Sequence, residues 1–79
     1  MEPPALLTRR ERQVAGLVWQ GLTNREIALA IGTTEQVIKN YLFSAYDKLG
    51  VWTKLELAIY VAGHGGADWC NAPAAAAGD

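Results

Sequence analysis

Gln36, Lys39, Asn40, Phe43 and Asp47 fall on one side of any helix drawn through them. As a set they could read the edges of base pairs. The carboxamide of Gln36 or Asn40 suits adenine, Lys39 suits the acceptors of guanine, and the Phe43 ring suits a thymine methyl. On the opposite side, Ile38, Leu42, Ala45 and Leu49 recur at helical spacing and mark a stripe to be buried. The period alone does not separate a base-reading face from the solvated face of a small bundle.

The elements that must position these side chains are legible from their ends. Thr8 and Glu11 form a Thr-x-x-Glu capping box, in which a hydroxyl and a carboxylate satisfy two otherwise orphaned backbone donors. A first helix over about 9–20 follows, with Val14, Leu17 and Val18 as its apolar stripe and Gly21 just past its end. Asn24 is expected to cap a second helix over about 25–31, which carries Ile27 and Ile31 on one face and stops at Gly32. Thr33 or Thr34 caps a third helix over about 35–49, Thr33 being spaced from Gln36 as in a capping box, and Gly50 stops it. Thr53 and Glu56 make a further box for a fourth helix over about 54–62, ended by Gly63.

Only two or three residues join the second and third helices, the connection of a helix-turn-helix unit. Ala28 is small where the helices must cross, Gly32 can adopt the left-handed conformation of the turn, and Ile27, Ile31 and Ile38 would meet in the angle. The expected fold is all-α: a four-helix helix-turn-helix domain with a flexible C-terminal tail. Its divisions are an N-terminal arm over 1–6, the domain over 7–62, and a Gly/Ala-rich, mostly disordered tail over 63–79 with little to bury. Trp69 in that tail is either exposed or ties it down.

Seventy-nine residues support one small domain whose size favours self-association. The fourth helix suggests how. Leu55, Leu57, Ala58, Ile59, Tyr60 and Val61 make it apolar almost all round, and a domain this small lacks the chain to wrap it. A homodimer through Leu55, Ile59 and Ala62 is the expectation. The formal net charge of −1 hides a partition: all seven bases but only five acids lie between Thr8 and Ala62, a net +2, while Glu2, Asp68 and Asp79 lie in the flanks. A single cysteine, Cys70, excludes an internal disulfide and suits a reducing compartment. The basic, proline-containing start is unlike a signal peptide and no apolar stretch is long enough to span a bilayer, so a cytoplasmic location with no membrane partner is expected.

Catalysis is not expected. Glu11 and Glu26 sit in first turns, where capping explains them, and no nucleophile–base pair accompanies them. His64 and Cys70 fall short of a zinc-ligand set, so neither metal nor cofactor is implied. Tyr41, Tyr46 and Trp19 read as packing residues, and Trp52, in the turn before the fourth helix, could cover a dimer seam.

The stretches Leu7-Thr8-x-Arg10-Glu11, Gly21-Leu22-Thr23-Asn24-x-Glu26-Ile27-Ala28 and Lys48-Leu49-Gly50-Val51, with Lys39 between, resemble the LuxR/GerE-type helix-turn-helix domain of bacterial transcription regulators over residues 7 to about 62. The resemblance implies a sequence-specific, double-stranded-DNA-binding regulator whose third helix enters the major groove and whose fourth helix pairs two copies. It places Lys39, Asn40 and Phe43 on the base-reading face, which Gln36 joins, and Thr8, Arg10, Asn24, Arg25 and Thr34 where the domain approaches phosphates. Helix N-termini attract anions through free N–H groups, so a third helix whose Glu35 and Asp47 offset Lys39 and Lys48 need not supply the grip itself.

The chain departs from the family pattern at Val37, Tyr41 and Phe43, where a hydroxyl, an imidazole and a polar or basic group are usual, and Lys54 stands for Arg. Those departures bear on affinity and operator sequence rather than on fold. They also motivate an alternative: an interaction module with weak or no DNA binding that acts by binding another regulator. Further protein partners implied under either reading are another transcription regulator or RNA polymerase.

Overall fold

The computed structural model describes residues 7–66 and Trp69. Four helices occur in the order α1 (Arg9–Trp19), α2 (Asn24–Ile31), α3 (Glu35–Leu49) and α4 (Lys54–Gly63), and no strand is present among the described residues. The all-α, four-helix expectation holds. The arm over 1–6 and most of the tail lie outside the described residues.

Each helix starts at a threonine. Thr8 caps α1, its Oγ1 accepting the Glu11 N–H at 3.1 Å while a Glu11 carboxylate oxygen accepts the Thr8 N–H at 3.0 Å. At α2 the cap is Thr23, not Asn24. Thr23 and Glu26 form the same reciprocal box, which satisfies two orphan donors where an Asn24 cap would satisfy one, and Asn24 becomes the first residue of the helix. Thr34 caps α3, and no Thr33–Gln36 box forms. At α4 the box is only half made: Thr53 Oγ1 accepts the Glu56 N–H, but the Glu56 carboxylate reaches one residue further back, to the N–H of Trp52 at 2.6 Å.

Helix α1 packs on both α3 and α4, and α2 packs on α3. The core between them is Val14, Ala15 and Val18 of α1, Ile27 and Ala28 of α2, Ile38, Leu42 and Ala45 of α3, and Leu57 and Val61 of α4. Ile27 and Ile38 are fully buried in the angle of α2 and α3, with Ile31 at its edge. The turn between these helices needs a left-handed residue, and Gly32 supplies it with φ +88°.

Trp69 corrects the expectation that the tail has little to bury. It is among the largest fully buried side chains of the molecule and belongs to the same core. Its indole N–H donates to the Arg12 carbonyl at 2.7 Å, and Arg12 Nη1 donates to the Trp69 carbonyl at 2.9 Å. The chain therefore crosses back over α1 after α4 has ended. His64, weighed as a metal ligand, instead stacks on Tyr60 at 4.0 Å between ring centroids, and Cys70 lies outside the described residues.

Candidate nucleic-acid interface

Helix α3 buries Ile38, Leu42 and Ala45 and turns Gln36, Lys39, Asn40, Phe43 and Asp47 outward. The two faces follow directly from the apolar period. Gln36 Nε2 donates to Asn40 Oδ1 at 3.2 Å, which orients the Asn40 carboxamide while leaving its own N–H donors for a ligand. Phe43 is 63 % exposed and meets Tyr46 edge-on at 6.2 Å. Tyr41 and Tyr46 are partly buried against the core, as packing residues, and burial pushes the Tyr46 phenol above its usual range.

The residues expected at phosphates gather at helix N-termini. Thr34, at the start of α3, accepts the Val37 N–H at 3.3 Å and keeps its O–H proton free to donate. Thr8 accepts in the same way at α1, and Arg10 follows it, exposed. Arg25 is exposed in the first turn of α2. Asn24 beside it is not free: its Oδ1 accepts a hydrogen bond from Lys54 Nζ at 2.9 Å. That contact ties the N-terminus of α2 to the N-terminus of α4. Lys54 was noted in the sequence only as a substitute for Arg, because nothing in local spacing shows that residues thirty apart will touch.

A second polar link was equally hidden. The Glu11 carboxylate, read as half of a capping box, also accepts from Ser44 Oγ at 2.6 Å and Lys48 Nζ at 2.7 Å, both on α3. Burial by itself would raise the Glu11 carboxyl. The bonds from Lys48, Ser44 and the Thr8 N–H, with the Lys48 charge, outweigh it and hold the group below the usual carboxylate range. Glu11 thus links the N-terminus of α1 to α3, the helix that carries Lys39 and Asn40.

On α4, Leu57 and Val61 are buried, whereas Leu55, Ile59 and Ala62 are exposed. Trp52, just before the helix, is 84 % exposed. The three residues expected to pair two copies therefore share an open face. Among the described residues, no helix is long and apolar enough to cross a membrane.

The family described as bacterial regulatory proteins, luxR family, matches residues 5–61. The chain is 36% identical over 59 residues to the DNA-binding transcriptional activator DevR/DosR of Mycobacterium tuberculosis, covering 75% of this chain and 27% of that protein. It is 37% identical over 59 residues to the transcriptional regulatory protein MctR of Rhizobium johnstonii, covering 75% and 28%. Against the spore germination protein GerE of Bacillus subtilis it is 44% identical over 46 residues, covering 58% and 62%. The chain thus spans roughly a quarter of the length of the longer relatives and under two thirds of GerE. No solved structure matches it.

Proposed function

The chain belongs to the luxR family of bacterial regulatory proteins, and from that membership we propose that it is a transcription regulator that binds double-stranded DNA sequence-specifically, with α3 in the major groove. The observation that carries the reading is the outward face of α3, where Gln36, Lys39 and Asn40 stand exposed at helical spacing over a fully packed inner stripe. In this reading Lys39, Asn40 and Gln36 bond base edges and Phe43 meets a thymine methyl. Thr8, Arg10, Asn24, Arg25 and Thr34 approach phosphates, with Lys54 added to them through Asn24. A regulator of this kind acts in the cytoplasm and needs neither catalysis nor a cofactor.

The reading is tested by selecting bound sequences from a random DNA pool and measuring affinity for the winner. Lys39→Ala and Asn40→Ala should each weaken that binding by about 1–3 kcal/mol while leaving the fold intact. The unmodified protein should lose affinity with salt at a log–log slope near −3 per subunit, for about three to four phosphate contacts. Absence of binding at low salt would overturn the proposal and favour the interaction module instead.

We propose further that α4 pairs two copies about a twofold axis through Leu55, Ile59 and Ala62. Its support is the exposure of Leu55 and Ile59 on a helix whose other face is fully buried. Such a dimer reads two half-sites about 34 Å apart, so the selected sequence should be palindromic. Ile59→Asp places a charge in the seam. Sedimentation should show the variant as a monomer, with operator affinity reduced and circular dichroism unchanged; a variant that still dimerises would remove α4 from the interface.

A further inference from the structure

Where α3 ends and the chain turns toward α4, a solvent-open cavity of about 420 Å³ is lined by Phe43, Tyr46, Asp47, Gly50, Val51 and Trp52, of which Phe43, Asp47, Gly50 and Trp52 are exposed. Three of these six are aromatic and one is a carboxylate. Gly50 closes α3 in the left-handed conformation with φ +76° and faces open space. The Trp52 backbone is held by the bond from its N–H to Glu56. Phe43 and Tyr46 are set edge to face, with an interplanar angle of 62°.

The charge of the site selects its ligand. Asp47 makes no ion pair among the described residues, and the adjacent Lys48 is paired with Glu11. An anion in the cavity would face an uncompensated carboxylate. A neutral apolar ligand would gain nothing from that carboxylate. A weakly hydrated organic cation suits both parts of the lining, since its charge pairs with Asp47 and its alkyl groups pack against the aromatic side chains of Phe43, Tyr46 and Trp52. We propose that this cavity is a binding site for a small alkylated ammonium ion.

Its position gives the site a consequence that rests on the DNA-binding reading. A ligand against Phe43 occupies the space the ring needs beside a base, so cation and DNA compete. Binding of the cation itself requires no DNA and is measured without it.

The probe is choline chloride, titrated into the isotope-labelled protein at constant ionic strength, with 3,3-dimethylbutan-1-ol as its uncharged isostere. Choline should produce saturable amide shifts at Phe43, Tyr46, Asp47 and Trp52, with the neutral alcohol about threefold to fivefold weaker. Asp47→Asn should remove that preference without altering alcohol binding, and Trp52→Ala should weaken both. Each variant is first required to keep the amide spectrum of the core residues. Equal affinity for choline and the alcohol overturns the cation assignment, and no localised shift up to roughly 50 mM choline overturns the site altogether. Failure of DNA binding would leave these outcomes untouched, whereas choline binding that does not lower operator affinity would overturn the competition alone.

Discussion

Trp69→Ala should destabilise the protein by about 3–5 kcal/mol, the usual cost of removing a buried aromatic side chain. Trp69 is 1 % exposed and lies in the same cluster as the residues that join α1 to α4. Its loss leaves a cavity that the packed helices can only partly close. It also removes the indole donor to the Arg12 carbonyl and the ring over which the Arg12 guanidinium lies at 4.9 Å. The edge contact with Tyr60, at 6.1 Å and 89°, disappears as well.

A single core in a domain this small rarely supplies more than about 3–5 kcal/mol of stability, so the variant should show a measurable unfolded fraction without denaturant. Urea titration followed by circular dichroism reads the effect. Trp52→Ala is the internal control, because a side chain so exposed should change stability by no more than about 0.5 kcal/mol. Trp69→Phe should fall between the two, retaining most of the ring area but not the indole bond. Equal midpoints for the Trp69 and Trp52 alanine variants would mean that the residue is not docked in solution. The domain would then end near the limit of the family match at residue 61 rather than continuing to Trp69.

Why Trp69 was left open by the sequence while the helices were not is a matter of range. A capping threonine and its partner three residues on are local, and every helix start was visible to within a residue, the slip at α2 being a choice between adjacent cap-competent residues, Thr23 and Asn24. The buried stripe of α3 is also local, because period alone assigns Ile38, Leu42 and Ala45 to one side. Trp69 meets Arg12 across 57 residues, from a stretch in which Gly65 and Gly66 adopt positive φ and no helical period exists. The candidate site divides in the same way. The exposed face of α3 was legible, but the Lys54–Asn24 contact and the three-sided environment of Glu11 arise only when helices pack. The cavity at Phe43 and Trp52 was visible only as two aromatic residues where polar ones or a turn would do.

Glu11 carries the other large expected effect. Glu11→Ala should cost about 3 kcal/mol, since it strands the Lys48 ammonium and removes the acceptor for Ser44 and for the Thr8 N–H at once. Glu11→Gln keeps the volume and an acceptor for Thr8, so it should cost less, and its value lies in the pH dependence. The folded-state carboxyl is held below its usual range, so folding favours the ionised form. The stabilisation is fully present above the unfolded-state value, near pH 4.3, and is lost as pH falls through the lower folded value. Unmodified protein should therefore lose more stability than Glu11→Gln on descending from pH 5 into that acid range, and the two urea midpoints should converge. Parallel midpoints would show that Glu11 titrates alike in both states and that its three bonds are not maintained. The consequence reaches the proposed recognition face, because Ser44 and Lys48 lie on the helix that carries Lys39 and Asn40. Loosening them should lower operator affinity in Glu11→Gln even where the domain is fully folded. A variant that binds the operator as tightly as the parent would restrict Glu11 to capping α1.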